Sequence, residues 1–145
     1  TDTKLTRLTS TLTTWDKWRK KHPDTEVLNP ATGHVRDYSK DPYASYYESR
    51  SGLLGFLNGG PGAEEKELVV GVNIGSTVKA YKLQELRSSG QIIDKVGTTE
   101  VTLNFDERTD AVSAKDQSGN SLDHMILYWF VWKGIHPEAQ VFKKQ

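Results

Sequence analysis

Two short stretches of this chain carry the same pattern of rare residues. Residues 15–27 hold Trp15, Trp18, His22, Pro23 and Val27; residues 129–141 hold Trp129, Trp132, His136, Pro137 and Val141, at a constant offset of 114 residues. All four tryptophans and two of the four histidines fall in this pattern. Leu12 and Ile126, Arg19 and Lys133, and Asp24 and Glu138 correspond at the same offset, so a degenerate internal repeat covers 12–28 and 126–142. Positions i, i+3 and i+7 share one face of a helix, which puts both tryptophans and the histidine on one side. The proline disfavours helical backbone at the histidine before it, so each helix should end there. A histidine in that last turn can bond the free carbonyls and suits the negative helix end. Trp15, Trp18, His22, Trp129, Trp132 and His136 therefore read as structural, a core face repeated twice. An extended segment should follow each copy, beginning at Val27-Leu28 and at Val141-Phe142. The first copy is polar on its other faces and reads as amphipathic. The second carries Phe130, Val131 and Ile135 there and reads as more deeply buried.

Between the copies, turn and strand signals alternate. Residues 29–62 are loop-like, with Asn29-Pro30, Thr32-Gly33, Asp41-Pro42 and a glycine-rich stretch at 58–62. Residues 67–74 read as a strand, Gly75-Ser76 as a tight turn and 77–82 as the hairpin partner. A short helix is expected over 83–88, stopped by Gly90, then a short strand at Ile92-Ile93 and a turn around Val96-Gly97. Residues 99–105 alternate as a half-buried strand should, and 111–115 form another before a turn at 117–120. Short strands joined by tight turns, with a few short helices, predict an α+β fold of antiparallel strands and hairpins rather than a doubly wound parallel sheet. At 145 residues the expectation is a single domain over 1–145.

Composition narrows the chemistry. There is no cysteine, which removes disulfides, thiolate metal sites and thiol nucleophiles together. Nineteen Lys+Arg balance nineteen Asp+Glu, and the short basic run Lys17, Arg19, Lys20, Lys21 is a solvated helix face, so no nucleic-acid partner is expected. No apolar run approaches the length of a membrane span, about 20 residues. The chain opens on Thr1 rather than Met, as expected of a piece of something longer or of a chain with an upstream segment removed.

Several stretches resemble a known family. Residues 13–28 (TTWDKWRKKHPDTEVL), 36–49 (RDYSKDPYASYYES), 69–86 (VVGVNIGSTVKAYKLQEL) and 128–142 (YWFVWKGIHPEAQVF) resemble the C-terminal part of the domain-of-unknown-function family numbered 3179. The resemblance implies a bacterial or archaeal protein and an extracytoplasmic setting, periplasmic, cell-surface or secreted; it brings no established activity. Longer relatives resemble a two-copy arrangement in which one copy carries a cysteine or selenocysteine motif just after a strand. The equivalent place here reads Asp106-Glu107-Arg108, so a redox role does not transfer.

The most suggestive candidate surface is the tyrosine-rich segment: Arg36, Asp37, Tyr38, Asp41, Tyr43, Tyr46, Tyr47 and Glu48 fall within thirteen residues. Rigid aromatics with polar tips suit a partner surface. A bland reading competes, a long loop pinned to its own domain by its rings. The alternative function is a metal-dependent enzyme or metal-handling accessory, with His34, Asp37 and Asp41 as ligands. No H-x-H or H-x-x-x-H pair supports it, so the fold would have to assemble the site. There is no G-x-S-x-G elbow and no phosphate-binding glycine loop. The expectation is a non-catalytic binding or assembly module with a protein partner and no cofactor.

Overall fold

The structure is a computed structural model that describes residues 10–44 and 66–143. In chain order the elements are α1 (Trp15–Lys21), β1 (Leu68–Ile74), β2 (Thr77–Lys82), α2 (Leu83–Ser89), β3 (Gln91–Val96), β4 (Thr99–Asp106), β5 (Ala111–Asp116), β6 (His124–Tyr128), α3 (Trp129–Ile135) and β7 (Gln140–Val141). One sheet has the order β6-β1-β2-β7, with only the short β2–β7 pairing parallel; the other is the meander β3-β4-β5. This is an α+β fold. No helix among the described residues is long and apolar enough to cross a membrane.

The four-stranded sheet buries both of its faces, which explains why β1 reads Leu-Val-Val-Gly-Val instead of alternating. Val70 and Val72 of β1 and Tyr81 of β2 meet Leu83 and Leu86 of α2 and the inward residues of the meander, Ile92, Val96, Val101, Leu103, Val112 and Ala114. Each such aliphatic side chain contributes roughly 1.5–3 kcal/mol when fully buried. On the opposite face Val69, Val78 and Ala80 hold Trp132 of α3, with Ala139 completing the cluster. Gly71 stands opposite Ala80 in the β1–β2 ladder. The two smallest side chains of the sheet thus make a notch for the Trp132 indole.

The helix ends follow the sequence rule closely. His22 caps α1 at φ −130°, ψ 72°, and His136 caps α3 at φ −128°, ψ 77°. The His22 N–H donates to the Trp18 carbonyl and the His136 N–H to the Trp132 carbonyl, both at 2.8 Å. Each histidine ring lies against the second tryptophan of its own copy, at centroid distances of 4.1 Å and 4.4 Å. Gly90 ends α2 at φ +70°, a conformation that favours glycine.

Three features go beyond or depart from the sequence reading. Residues 124–128 are a strand, β6, paired along β1, to which the sequence reading assigned no element. The second copy is the more deeply buried, as expected, but through Trp132 settling into the notch: Phe130 is half-buried, and Val131 and Ile135 are exposed. The extended segment after α1 forms no strand: Val27 and Leu28 are 66% and 87% exposed, whereas Gln140–Val141 pairs with β2. Local sterics reproduce the helix and its end in both copies. Burial needs a sheet, and only the second copy has one among the described residues.

Candidate functional site

The α1 face is built by short-range signals. Thr14 accepts from the Lys17 amide at the helix start, and Asp16 pairs with Lys20 one turn on. Lys17 reaches across to the β4–β5 turn, donating to the Glu107 carbonyl at 2.7 Å and to the Asp110 carboxylate at 2.8 Å. The Lys17 bond holds the Asp110 carboxyl below the usual carboxylate range. This tether leaves the tryptophan face open. Leu12 and Trp15 are each 48% exposed and Trp18 37%, with the Trp18 indole N–H donating to the nearby Thr25 hydroxyl. Their counterparts Ile126, Trp129 and Trp132 are all more buried, Trp132 to 2% exposed.

The tyrosine-rich segment follows α1 in the chain. Arg36, Asp37, Tyr38, Asp41 and Tyr43 are all exposed, as is His34. Their bonds are local. Asp37 accepts from the Ser39 hydroxyl and amide, which hold its carboxyl below the usual range, and Asp41 accepts from the Tyr43 amide. The Tyr38 hydroxyl meets Thr32, and the Arg36 guanidinium lies 5.9 Å from the Tyr38 ring centre. The rings of Tyr38 and Tyr43 are thus not buried pins. Tyr46, Tyr47 and Glu48 lie outside the described residues. Among the described residues no three His, Asp or Glu side chains gather as a metal-binding group, so His34, Asp37 and Asp41 are not assembled into one.

A polar bridge that the sequence did not single out joins the two sheets. Asp94 of β3 takes a bond from the Tyr81 hydroxyl of β2 at 2.9 Å and an ion pair from Lys79, also of β2. Burial pushes the Asp94 carboxyl up, but the bonds from Lys79, the Lys95 amide and Tyr81, with the Lys79 charge, outweigh it and hold the group below its ordinary range. Burial pushes the Tyr81 phenol up, and its bond to Asp94 pushes it further. With a depressed folded-state value, the Asp94 contribution is present above the unfolded value of about 3.9 and is lost as pH falls through the folded one. Melting temperature should therefore fall more steeply below about pH 4 in the natural chain than in Asp94→Asn, as thermal melts across that range would show. Superimposable slopes would remove the bridge from the account. Only the fold brings Lys79, Tyr81 and Asp94 together; the one cue in the sequence was a charged residue beside Ile92-Ile93.

No curated protein and no solved structure matches the chain. A family profile described as "Protein of unknown function (DUF3179)" matches residues 1–123, a range that includes the first Trp/His-Pro motif and stops short of the second. The chain belongs to that family of proteins of unknown function.

Proposed function

We propose that the chain is a non-catalytic assembly module, acting outside the cytoplasm, that docks α1 and the residues after it onto a β-sheet of a partner protein. The observation carrying this reading is the unequal burial of one repeated element. The same helix, ending in the same backbone conformation, buries Trp132 in one copy and leaves Trp18 open in the other. The buried copy defines the partner's chemistry. It needs a small-residue notch like Gly71 and Ala80, and a strand edge able to pair in parallel with Glu26-Val27 as β2 pairs with Gln140-Val141. Arg36, Asp37, Tyr38, Asp41 and Tyr43 would widen the contact beyond the helix, with the aromatic rings as anchors. The extracytoplasmic setting comes from the family resemblance. No described observation favours the metal-handling alternative.

The test places a photoreactive phenylalanine analogue at Leu28 and irradiates the full chain in the extracytoplasmic fraction of the producing cell. The expected adduct maps to a partner strand beside a glycine, and Trp18→Ala or Tyr43→Ala lowers its yield about tenfold, the effect of losing an aromatic anchor. Adducts scattered over unrelated surfaces, or a yield indifferent to Trp18→Ala, would contradict the proposal.

A further inference from the structure

An open groove of about 530 Å³ is lined by residues of α2 and β3 and by Phe142. Its apolar floor is Ile92, Ile93 and Phe142, with Ile93 57% exposed. Its polar wall is Gln84, Glu85, Ser88, Ser89 and Gln91, and the hydrogen bonds these residues already make decide what they can offer a ligand. The Ser88 hydroxyl donates to the Gln84 carbonyl and the Ser89 hydroxyl to the Glu85 carbonyl, each at 2.9 Å. Their one O–H donor is spent, so both present lone pairs to the groove. One N–H of the Gln91 amide donates to Asn104, which leaves its other N–H and its carbonyl oxygen free to bond a ligand. Glu85 is the one formally charged residue among those lining this groove, and its Oε2 is shielded from water and has no hydrogen-bond partner. A carboxylate oxygen so placed is costly unless a donor reaches the group.

Over these apolar residues the wall therefore offers several acceptors and one negative charge, and the donors left to its side chains are the neutral amide N–H groups of Gln84 and Gln91. We infer that the groove binds a small organic cation, a guanidinium or ammonium group carried on a short apolar stem. The geometry also orients it. A neighbouring opening shares Ile93 and Phe142 and is lined by Lys79, Asp94 and Lys143. Lys79 is neutralised by Asp94, and Lys143 repels a cation at that end. The charged head faces Glu85 and the stem lies over Ile93 and Phe142. This site is separate from the α1 face, and its success or failure leaves the docking proposal untouched.

The experiment titrates the full, isotopically labelled chain with n-butylguanidinium and, separately, with its neutral isostere n-butylurea, following backbone amide shifts. Saturable shifts centred on residues 84–93 and 142 are expected with the guanidinium, and binding about tenfold weaker with the urea, the worth of one charge-assisted bond. Glu85→Gln should weaken the guanidinium about tenfold and leave the urea unchanged. Equal binding of the two probes by the natural chain would overturn the inference, and that comparison needs no variant. So would shifts that do not saturate. A blocked Ala-Arg-Ala peptide binding more than about tenfold tighter than n-butylguanidinium would assign the groove to a protein's basic side chain, and would overturn the free-cation reading.

Discussion

Gly71→Ala is expected to destabilise the chain by about 3 kcal/mol, the upper part of the range for overpacking a filled core. A methyl at this position would lie 2.5 Å from Cζ3 of Trp132 and 2.6 Å from both Cε3 and Cη2. Carbon atoms in contact sit about 3.5–4.0 Å apart, so the indole or the strand must move by more than an ångström. Neither moves easily. The Trp129 amide bonds the Glu67 carbonyl at one end of α3, and the Phe142 amide bonds the Ala80 carbonyl beyond the other, both at 2.8 Å. Val69, Val78 and Ala139 fill the space around the ring. Thermal melts should show a loss of roughly 10 °C for a chain of this length. Adding Trp132→Ala should make the pair cost clearly less than the sum of the singles, because the clash then has no second partner. A Gly71→Ala chain within about 1 kcal/mol of the parent would mean that the notch is not filled as described.

The second large effect contrasts equivalent residues. Trp132→Ala is expected to cost about 3–5 kcal/mol, since the ring is almost fully buried and its removal opens a cavity in the notch. The Trp132 Nε1 donor is buried without a partner, which keeps the figure from rising higher, because the deletion also removes an unpaired polar group. Trp18→Ala should cost about 1 kcal/mol or less. The Trp18 ring is 37% exposed; what is lost is its contact with His22 and the indole bond to Thr25, both within the same short segment. Two positions equivalent by sequence should thus differ several-fold in energy, because one has a sheet beneath it and the other has none among the described residues.

What was legible in the sequence was what local chemistry decides. The His-Pro step ended both helices at His22 and His136, and the glycine at 90 stopped α2, because backbone sterics act within a few residues. The hairpin at Gly75-Ser76 and the alternation of β4 were legible for the same reason. What needed the fold was every long-range meeting. The notch joins Gly71 and Ala80 to a tryptophan more than fifty residues further on, and Asp94 meets Lys79 and Tyr81 through sheet packing that no spacing encodes. Strand β6 was hidden because its apolar residues run straight into those of α3. Of the candidate surface, the exposure of Tyr38 and Tyr43 was consistent with turn residues such as Pro42 around them. The openness of the Trp18 face was not legible, since its sequence matches that of a face which is buried.

The most direct test of the central claim, that α1 repeats α3 but has no sheet beneath it among the described residues, is urea denaturation of Trp18→Ala and Trp132→Ala side by side in the isolated chain. The account predicts a midpoint close to the parent's for Trp18→Ala and a transition shifted by at least about 3 kcal/mol for Trp132→Ala. Equal, large losses from both substitutions would contradict it, because the first tryptophan face would then already be buried within this chain and unavailable to a partner.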